Sequence, residues 1–152
     1  MGKISVLKLL ERLMQEMYTM SIDIHNFGVM ALILVMIINV VLLKLNSDIR
    51  VYAKKMRIFM PISTSLIFLI IFTGTVMMAA KHLNFTVQNI IMILFAIVLI
   101  LMEVYRYKRL KQSIVEEFDK YKIASYKILG VELVMTFMIA LWMFSISNNW
   151  GS

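Results

Sequence analysis

The chain of 152 residues contains no cysteine, and this absence excludes several kinds of chemistry at once. Without thiols there is no disulfide bond, thiolate metal site, iron–sulfur cluster or cysteine nucleophile. Histidine is nearly absent as well, because His25 and His82 are the only two in the sequence. A metal site would therefore depend on these imidazoles, on carboxylates or on the thioethers of the 15 methionines.

Proline and charged residues are also scarce. The sequence has one proline, and charged residues make up 16% of it, whereas 61% is hydrophobic and the mean hydropathy is +0.84. A soluble domain of this length needs much more polar surface than this composition supplies. We therefore expect the apolar excess to face lipid.

Four apolar stretches are each long enough to cross a membrane, because about 20 helical residues span a hydrocarbon core of ~30 Å. Short connections between such helices predict an all-α fold, an integral membrane four-helix antiparallel bundle. The stretches are residues 22–45, 56–80, 85–105 and 126–146.

The first 20 residues have a different pattern from the four stretches. Apolar residues recur at helical spacing over residues 6–17, and charged residues occupy the opposite face. This pattern predicts an N-terminal interfacial amphipathic helix over residues 1–20, with an irregular leader as the alternative. The transmembrane domain then covers residues 21–147, and we expect the tail, residues 148–152, to include residues added for expression.

Positive charges are divided unequally between the two ends of the bundle. The first and third connections hold twelve lysines and arginines, whereas the N-terminal segment and the second connection hold four. Positively charged loops stay in the cytoplasm, so we expect a multi-pass protein of the bacterial inner membrane, N-out and C-out. The net charge of +7 thus sets topology, and the expected partners are the lipid bilayer and a second copy or membrane subunit, without nucleic acid.

Charged residues inside the apolar stretches need partners, because an unpaired charge within a bilayer costs several kcal/mol. Glu103 lies near the end of the third stretch, Glu132 lies about two turns inside the fourth, and Arg57 begins the second. The common depth predicts a structural ion pair of Arg57 with Glu103 or Glu132. A proton relay through Glu132 is the alternative.

The two histidines fall at the same predicted depth. His25 lies in the first turn of the first span and His82 in the last turn of the second, so antiparallel helices bring both to the outer leaflet. Gly28 follows His25 by three residues, and Gly74, Met78 and His82 follow one another at intervals of four. A glycine near a histidine leaves room for a flat macrocycle against the backbone.

Two cofactors suit this pattern. Neutral imidazoles from His25 and His82 could ligate the iron of haem b, with Gly28 and Gly74 giving space. Alternatively, both histidines and Met78, with Met20 or Met77, could bind Cu(I) through nitrogen and thioether ligands. The third interpretation has no cofactor: the histidines bond lipid headgroups and the glycines allow close helix packing. No catalytic constellation is found, so we expect no enzyme.

Short motifs carry a resemblance to a known family over residues 22–146. In order they are "IHNFG" with His25, "RIF" with Arg57, "FTGTVMMA" with Gly74, "YRYKRLK", and "GVELVM" with Glu132. This order resembles the CopD-like copper-resistance membrane domains and the HemJ-like membrane proteins. The resemblance implies a bundle linked to haem or copper, used for electron transfer or for handling the metal or haem. It also implies that an enzymatic function would be a HemJ-like oxidoreductase.

The predicted topology can be tested by single cysteine substitutions, which are unambiguous because the chain has no native thiol. In intact cells, Ser47→Cys and Ser113→Cys should be protected from a membrane-impermeant thiol reagent, and Asn148→Cys should react. The reverse labelling pattern would overturn the topology.

Overall fold

The computed structural model of the chain describes residues 2–80, 86–113 and 118–149, with side chains described between residues 5 and 146 of these ranges. Over these residues the chain forms helices and no strand. The helices are α1 (Gly2–Leu45), α2 (Ile49–Ala80), α3 (Val87–Gln112) and α4 (Phe118–Asn149). The prediction of an all-α, four-helix fold is confirmed in this respect. His82 lies outside the described residues.

Each helix contains a segment that is long and apolar enough to cross a membrane. These segments are Ser5–Leu45, Ile49–Ala80, Val87–Gln112 and Phe118–Ile146. Four such helices fit a multi-pass membrane protein. The helices α2 and α4 begin about two turns before the predicted stretches, because hydropathy marks only the apolar part of a helix and its polar first turns continue the same hydrogen-bonding pattern.

The helix α1 is a single element of 44 residues, about 66 Å long at ~1.5 Å per residue. Residues 2–20 are helical, and no break separates them from the first apolar stretch. Apolar side chains near the start of the helix are exposed, such as Leu9 at 59% and Leu13 at 47%. The position of this segment in a membrane interface stays a prediction.

The buried face of α1 repeats every three or four residues, as expected for one side of a helix. Polar side chains belong to this buried face, whereas large apolar side chains such as Phe27 and Met30 are exposed. A helix with polar groups inside and apolar groups outside suits a lipid environment. The buried positions of α1 are Ser21, His25, Gly28, Leu32, Val35, Met36, Asn39 and Leu43, and Asn46 just after the helix is buried too.

The helices α1 and α2 contact each other in two regions, one near Gly28 and one beside the connection that joins them. A Cβ atom added at Gly28 would lie 3.1 Å from Ile70 Cγ1, so the helices approach each other where α1 has no side chain. At the connection, Lys55 Nζ donates to Asn46 Oδ1 at 3.0 Å. The end of α1 therefore contacts the start of α2, and residue 28 contacts the second half of α2.

Two apolar clusters form the core of the bundle. The larger cluster lies near the connections between α1 and α2 and between α3 and α4, and contains Leu43, Ile49, Tyr52, Met56, Leu110, Phe118, Tyr121 and Leu129. The second cluster contains Leu32, Met36, Ile67 and Leu99. We call the first the aromatic cluster, since three of its rings pack together with centroids 6.1–6.3 Å apart. The second is the aliphatic cluster.

Close contact at Gly28 predicts a strong effect of side-chain size. We expect Gly28→Leu to lower the free energy of unfolding by roughly 1–3 kcal/mol, because the added side chain meets Ile70 and separates the helices. The matched change Gly130→Leu has no neighbour within 4 Å and should be neutral or slightly stabilising. Thermal unfolding in detergent, followed by circular dichroism, measures both. Equal losses in the two variants would contradict the close packing at Gly28.

Candidate functional site

His25 is held between α1 and α2 rather than exposed at a lipid surface. Its side chain belongs to α1, and the residue is 7% exposed. The ring nitrogen Nδ1 lies 3.1 Å from the carbonyl oxygen of Ile70 and 3.0 Å from Thr73 Oγ1, both on α2. The imidazole therefore has a defined position in the helix interface.

These contacts also decide which ring nitrogen carries the proton. The Ile70 carbonyl can only accept a hydrogen bond, and the Thr73 hydroxyl lies 2.8 Å from the Leu69 carbonyl, to which it donates. Both groups thus present lone pairs to His25, so Nδ1 of the neutral ring is the donor. The other nitrogen, Nε2, keeps a free lone pair and is available as a ligand or base.

The two glycines of the predicted site have protein atoms beside them. A Cβ atom at Gly74 would lie 3.7 Å from His25 Cε1, so the imidazole occupies the space next to this glycine. Gly28 has Ile70 beside it. The space predicted there for a macrocycle is therefore filled by side chains, and both glycines allow α1 and α2 to pack closely.

The remaining predicted ligands are less well defined. Met78 is half-buried on α2, one turn after Gly74, whereas Met20 is exposed. His82 lies outside the described residues, so its distance to His25 stays untested. Among the side chains that are described, no group of three or more His, Cys, Asp or Glu residues could hold a metal ion.

A second polar site lies deeper in the bundle. Glu103 and Arg106 from α3, Glu132 from α4, Asn39 from α1 and Ser63 from α2 are all buried and line one cavity. We call these five residues the charged centre. Asn39 follows His25 by 14 positions, so the two sites are about 21 Å apart along α1 at ~1.5 Å per residue.

Arg106 is the ion-pair partner of both glutamates. Its Nη2 lies 2.5 Å from Glu103 Oε2, and its Nη1 lies 3.8 Å from Glu132 Oε2. This geometry corrects the prediction that Arg57 pairs with Glu103 or Glu132, because the side chain of Arg57 is exposed on α2. Arg106 is only 1% exposed, since its position three residues after Glu103 turns it to the same inner face of α3.

Sequence reasoning missed Arg106 because it counted this residue among the positive charges of the third connection. Its neighbours in "YRYKRLK" point outward: Lys108 and Arg109 are exposed. The signal that could have found it is the spacing of three between Glu103 and Arg106, which brings opposite charges together on one helix face.

Several polar atoms of the charged centre have no hydrogen-bond partner. The acceptors Asn39 Oδ1, Glu103 Oε1 and Glu132 Oε1 are buried and unpaired, as are the donors Nε and Nη1 of Arg106. The cavity beside them has a volume of about 10 Å³ and is closed on one side by Met36, Ile67 and Leu99. This volume is close to the ~10–15 Å³ that one water molecule requires.

The two arginines give a matched test of this geometry. We expect Arg106→Gln to lower the free energy of unfolding by about 3–5 kcal/mol, because it removes the positive partner of two buried carboxyl groups. Arg57→Gln should change it by less than ~0.5 kcal/mol, as for most exposed positions. Unfolding by denaturing detergent measures both values. A larger loss for Arg57→Gln would restore the pairing that the sequence predicts.

Comparison with protein-family models, with curated proteins and with solved structures finds no match to this chain. The functional interpretation therefore rests on the geometry of His25 and of the charged centre.

Proposed function

We propose that this chain is a four-span protein of the bacterial inner membrane that binds haem b through Nε2 of His25, for electron transfer or haem handling. In this proposal the four helices alternate in direction and both termini lie outside the cytoplasm. The pairing of Asn46 with Lys55 and of His25 with Ile70 supports opposite directions for α1 and α2. Of the twelve positive charges assigned to the first and third connections, Arg106 lies inside the bundle, and the other eleven support the orientation.

The observation that carries the proposal is the hydrogen bond of His25 Nδ1 to the Ile70 carbonyl, at 3.1 Å. A histidine that binds a metal usually donates its other ring proton to a carbonyl or carboxylate, which orients the ring and makes the ligand nitrogen more basic. His25 has this arrangement, and Thr73 supports it from the same side. Nε2 is thus the best-prepared ligand atom in the described part of the chain.

A single histidine held in a fixed orientation is a better ligand set for haem than for copper. One axial histidine can hold haem iron, as in globins, and a second ligand can come from another histidine. His82, two residues after the end of α2, or His25 of a second copy would serve in that role. Ile70 lies beside Gly28 and the His25 ring beside Gly74, so in this proposal the glycines shape the helix interface and do not hold the macrocycle.

Copper(I) is the second candidate, and Met78 is the observation that favours it. Its thioether is half-buried one turn along α2 from Gly74, whose neighbour is the His25 ring. Imidazole with thioether ligands suits Cu(I). Copper needs several ligands from the protein itself, however, and His82 would have to complete the set.

The proposal predicts that protein purified from haem-supplied cells shows a Soret absorption band. We expect His25→Ala to abolish this band, since it removes the ligand atom. Thr73→Val should reduce haem affinity roughly 10-fold, because it removes a group that accepts a hydrogen bond from the ligand histidine. Such changes typically weaken binding by about 10- to 100-fold. Met78→Leu is the matched control, which should leave the haem spectrum unchanged while lowering Cu(I) affinity.

Other results of the same measurements would indicate one of the alternative functions. Stoichiometric Cu(I) binding without haem, lost in both His25→Ala and Met78→Leu, would replace haem by copper. A folded protein that binds neither would be a structural or interaction subunit without a cofactor. A HemJ-like oxidoreductase would in addition oxidise a porphyrinogen in a His25-dependent way.

A further inference from the structure

The charged centre is unbalanced in charge. The two carboxylates of Glu103 and Glu132 exceed the single guanidinium of Arg106 by one negative charge when all three are ionised. The residues that α1 and α2 contribute to the same cavity, Asn39 and Ser63 among them, carry no charge. A buried negative charge without a partner is costly, so such a centre gains a proton or a cation.

The charged centre is also unbalanced in hydrogen bonding. Three acceptor atoms and two donor atoms are buried without partners around one cavity. Asn39 is 1% exposed and Glu132 is 2% exposed, so bulk water does not reach either side chain. Buried polar groups of this kind are nearly always satisfied, by protein or by ordered water.

We propose that the charged centre is a proton-binding site that holds one exchangeable proton between Glu103 and Glu132, together with one water molecule in the cavity. The proton removes the unbalanced negative charge. The water accepts a hydrogen bond from Arg106 and donates to Asn39 Oδ1 and to a glutamate oxygen, which makes the three bonds typical of a buried water.

A metal cation fits the cavity less well than water with a proton. The unpaired nitrogens Nε and Nη1 of Arg106 belong to the same centre and would repel a cation. A water molecule can instead bond the arginine and the acceptors at once, because it both accepts and donates. The volume of about 10 Å³ also suits one water molecule.

The surroundings indicate the direction from which the proton exchanges. The aliphatic cluster closes the side towards His25, through Met36, Ile67 and Leu99. On the other side, α3 continues from Arg106 to Leu110 of the aromatic cluster, where the hydroxyls of Tyr52 and Tyr121 are buried and unpaired. A hydroxyl can accept one proton and donate another, so the proposal assigns the two tyrosines as the route from the end of the bundle near Asn46.

Infrared spectroscopy of the purified protein without haem, in lipid nanodiscs at neutral pH, tests the proposal, because haem has carboxyl groups of its own. The described acidic residues outside the centre (Glu11, Glu16, Asp23, Asp48 and Asp119) are exposed, whereas Glu103 and Glu132 are buried. We expect a carbonyl stretch from one protonated carboxyl group per chain, which shifts in D2O. Its absence from folded wild-type protein would overturn the proposal, and no variant is needed for this result.

Variants then assign the proton to the charged centre. Glu103→Gln and Glu132→Gln should each abolish the band, because Arg106 balances the single glutamate that remains. Asp119→Asn, at an exposed position, is the control and should leave it unchanged. Arg106→Gln should about double the band, since both carboxyls then take a proton. A band that persists in both glutamine variants would overturn the site.

Two further measurements distinguish a metal-ion site from a proton site and test the proton route through the two tyrosines. Higher thermal stability in sodium chloride than in choline chloride of equal ionic strength, without a protonated carboxyl, would indicate a sodium site instead. Tyr52→Phe with Tyr121→Phe should slow exchange of the carboxyl proton with D2O at least 10-fold and leave the size of the band unchanged. Unchanged exchange would exclude the tyrosine route. None of these outcomes depends on haem binding, so these experiments test the proton site independently of the proposed haem function.

Discussion

The buried guanidinium of Arg106 is the constraint on which the arrangement of the bundle depends. A positive charge that is 1% exposed among apolar helices requires negative partners at the same depth. Glu103 supplies one from the same helix, but Glu132 comes from α4, so α3 and α4 must present these faces to each other. Asn39 and Ser63 bring α1 and α2 to the same cavity. Arg106 thus joins α3 to α4, and all four helices meet at the cavity beside it.

The interior is organised in alternating polar and apolar layers. His25 and Thr73 form a polar layer, the aliphatic cluster follows, and then come the charged centre and the aromatic cluster. The apolar layer between the two polar sites separates their chemistry. In the two proposals, a ligand at His25 and a proton at the charged centre would therefore bind independently.

The packing of α1 on α2 explains how a chain with only five glycines uses two of them. Without a hydrophobic force between helices in lipid, association depends on close packing and on interhelical hydrogen bonds. Gly28 allows the close approach, and Gly74 leaves space for the His25 ring. The hydrogen bonds of His25 to Ile70 and Thr73 then join the same two helices. Close helix packing and the fixed position of the His25 ring are consequences of one interface.

The sequence by itself determined the helix count and the approximate spans, because each apolar stretch must satisfy its backbone hydrogen bonds within a helix when water is absent. It also indicated that Glu103 and Glu132 need a positive partner. The tertiary structure alone decided that this partner is Arg106 rather than Arg57, because hydropathy gives depth along a helix but not the face that turns inward. The same limit hid the hydrogen bonds of His25. Lipid and protein interior are equally apolar, so only the packing of all four helices selects the inner face.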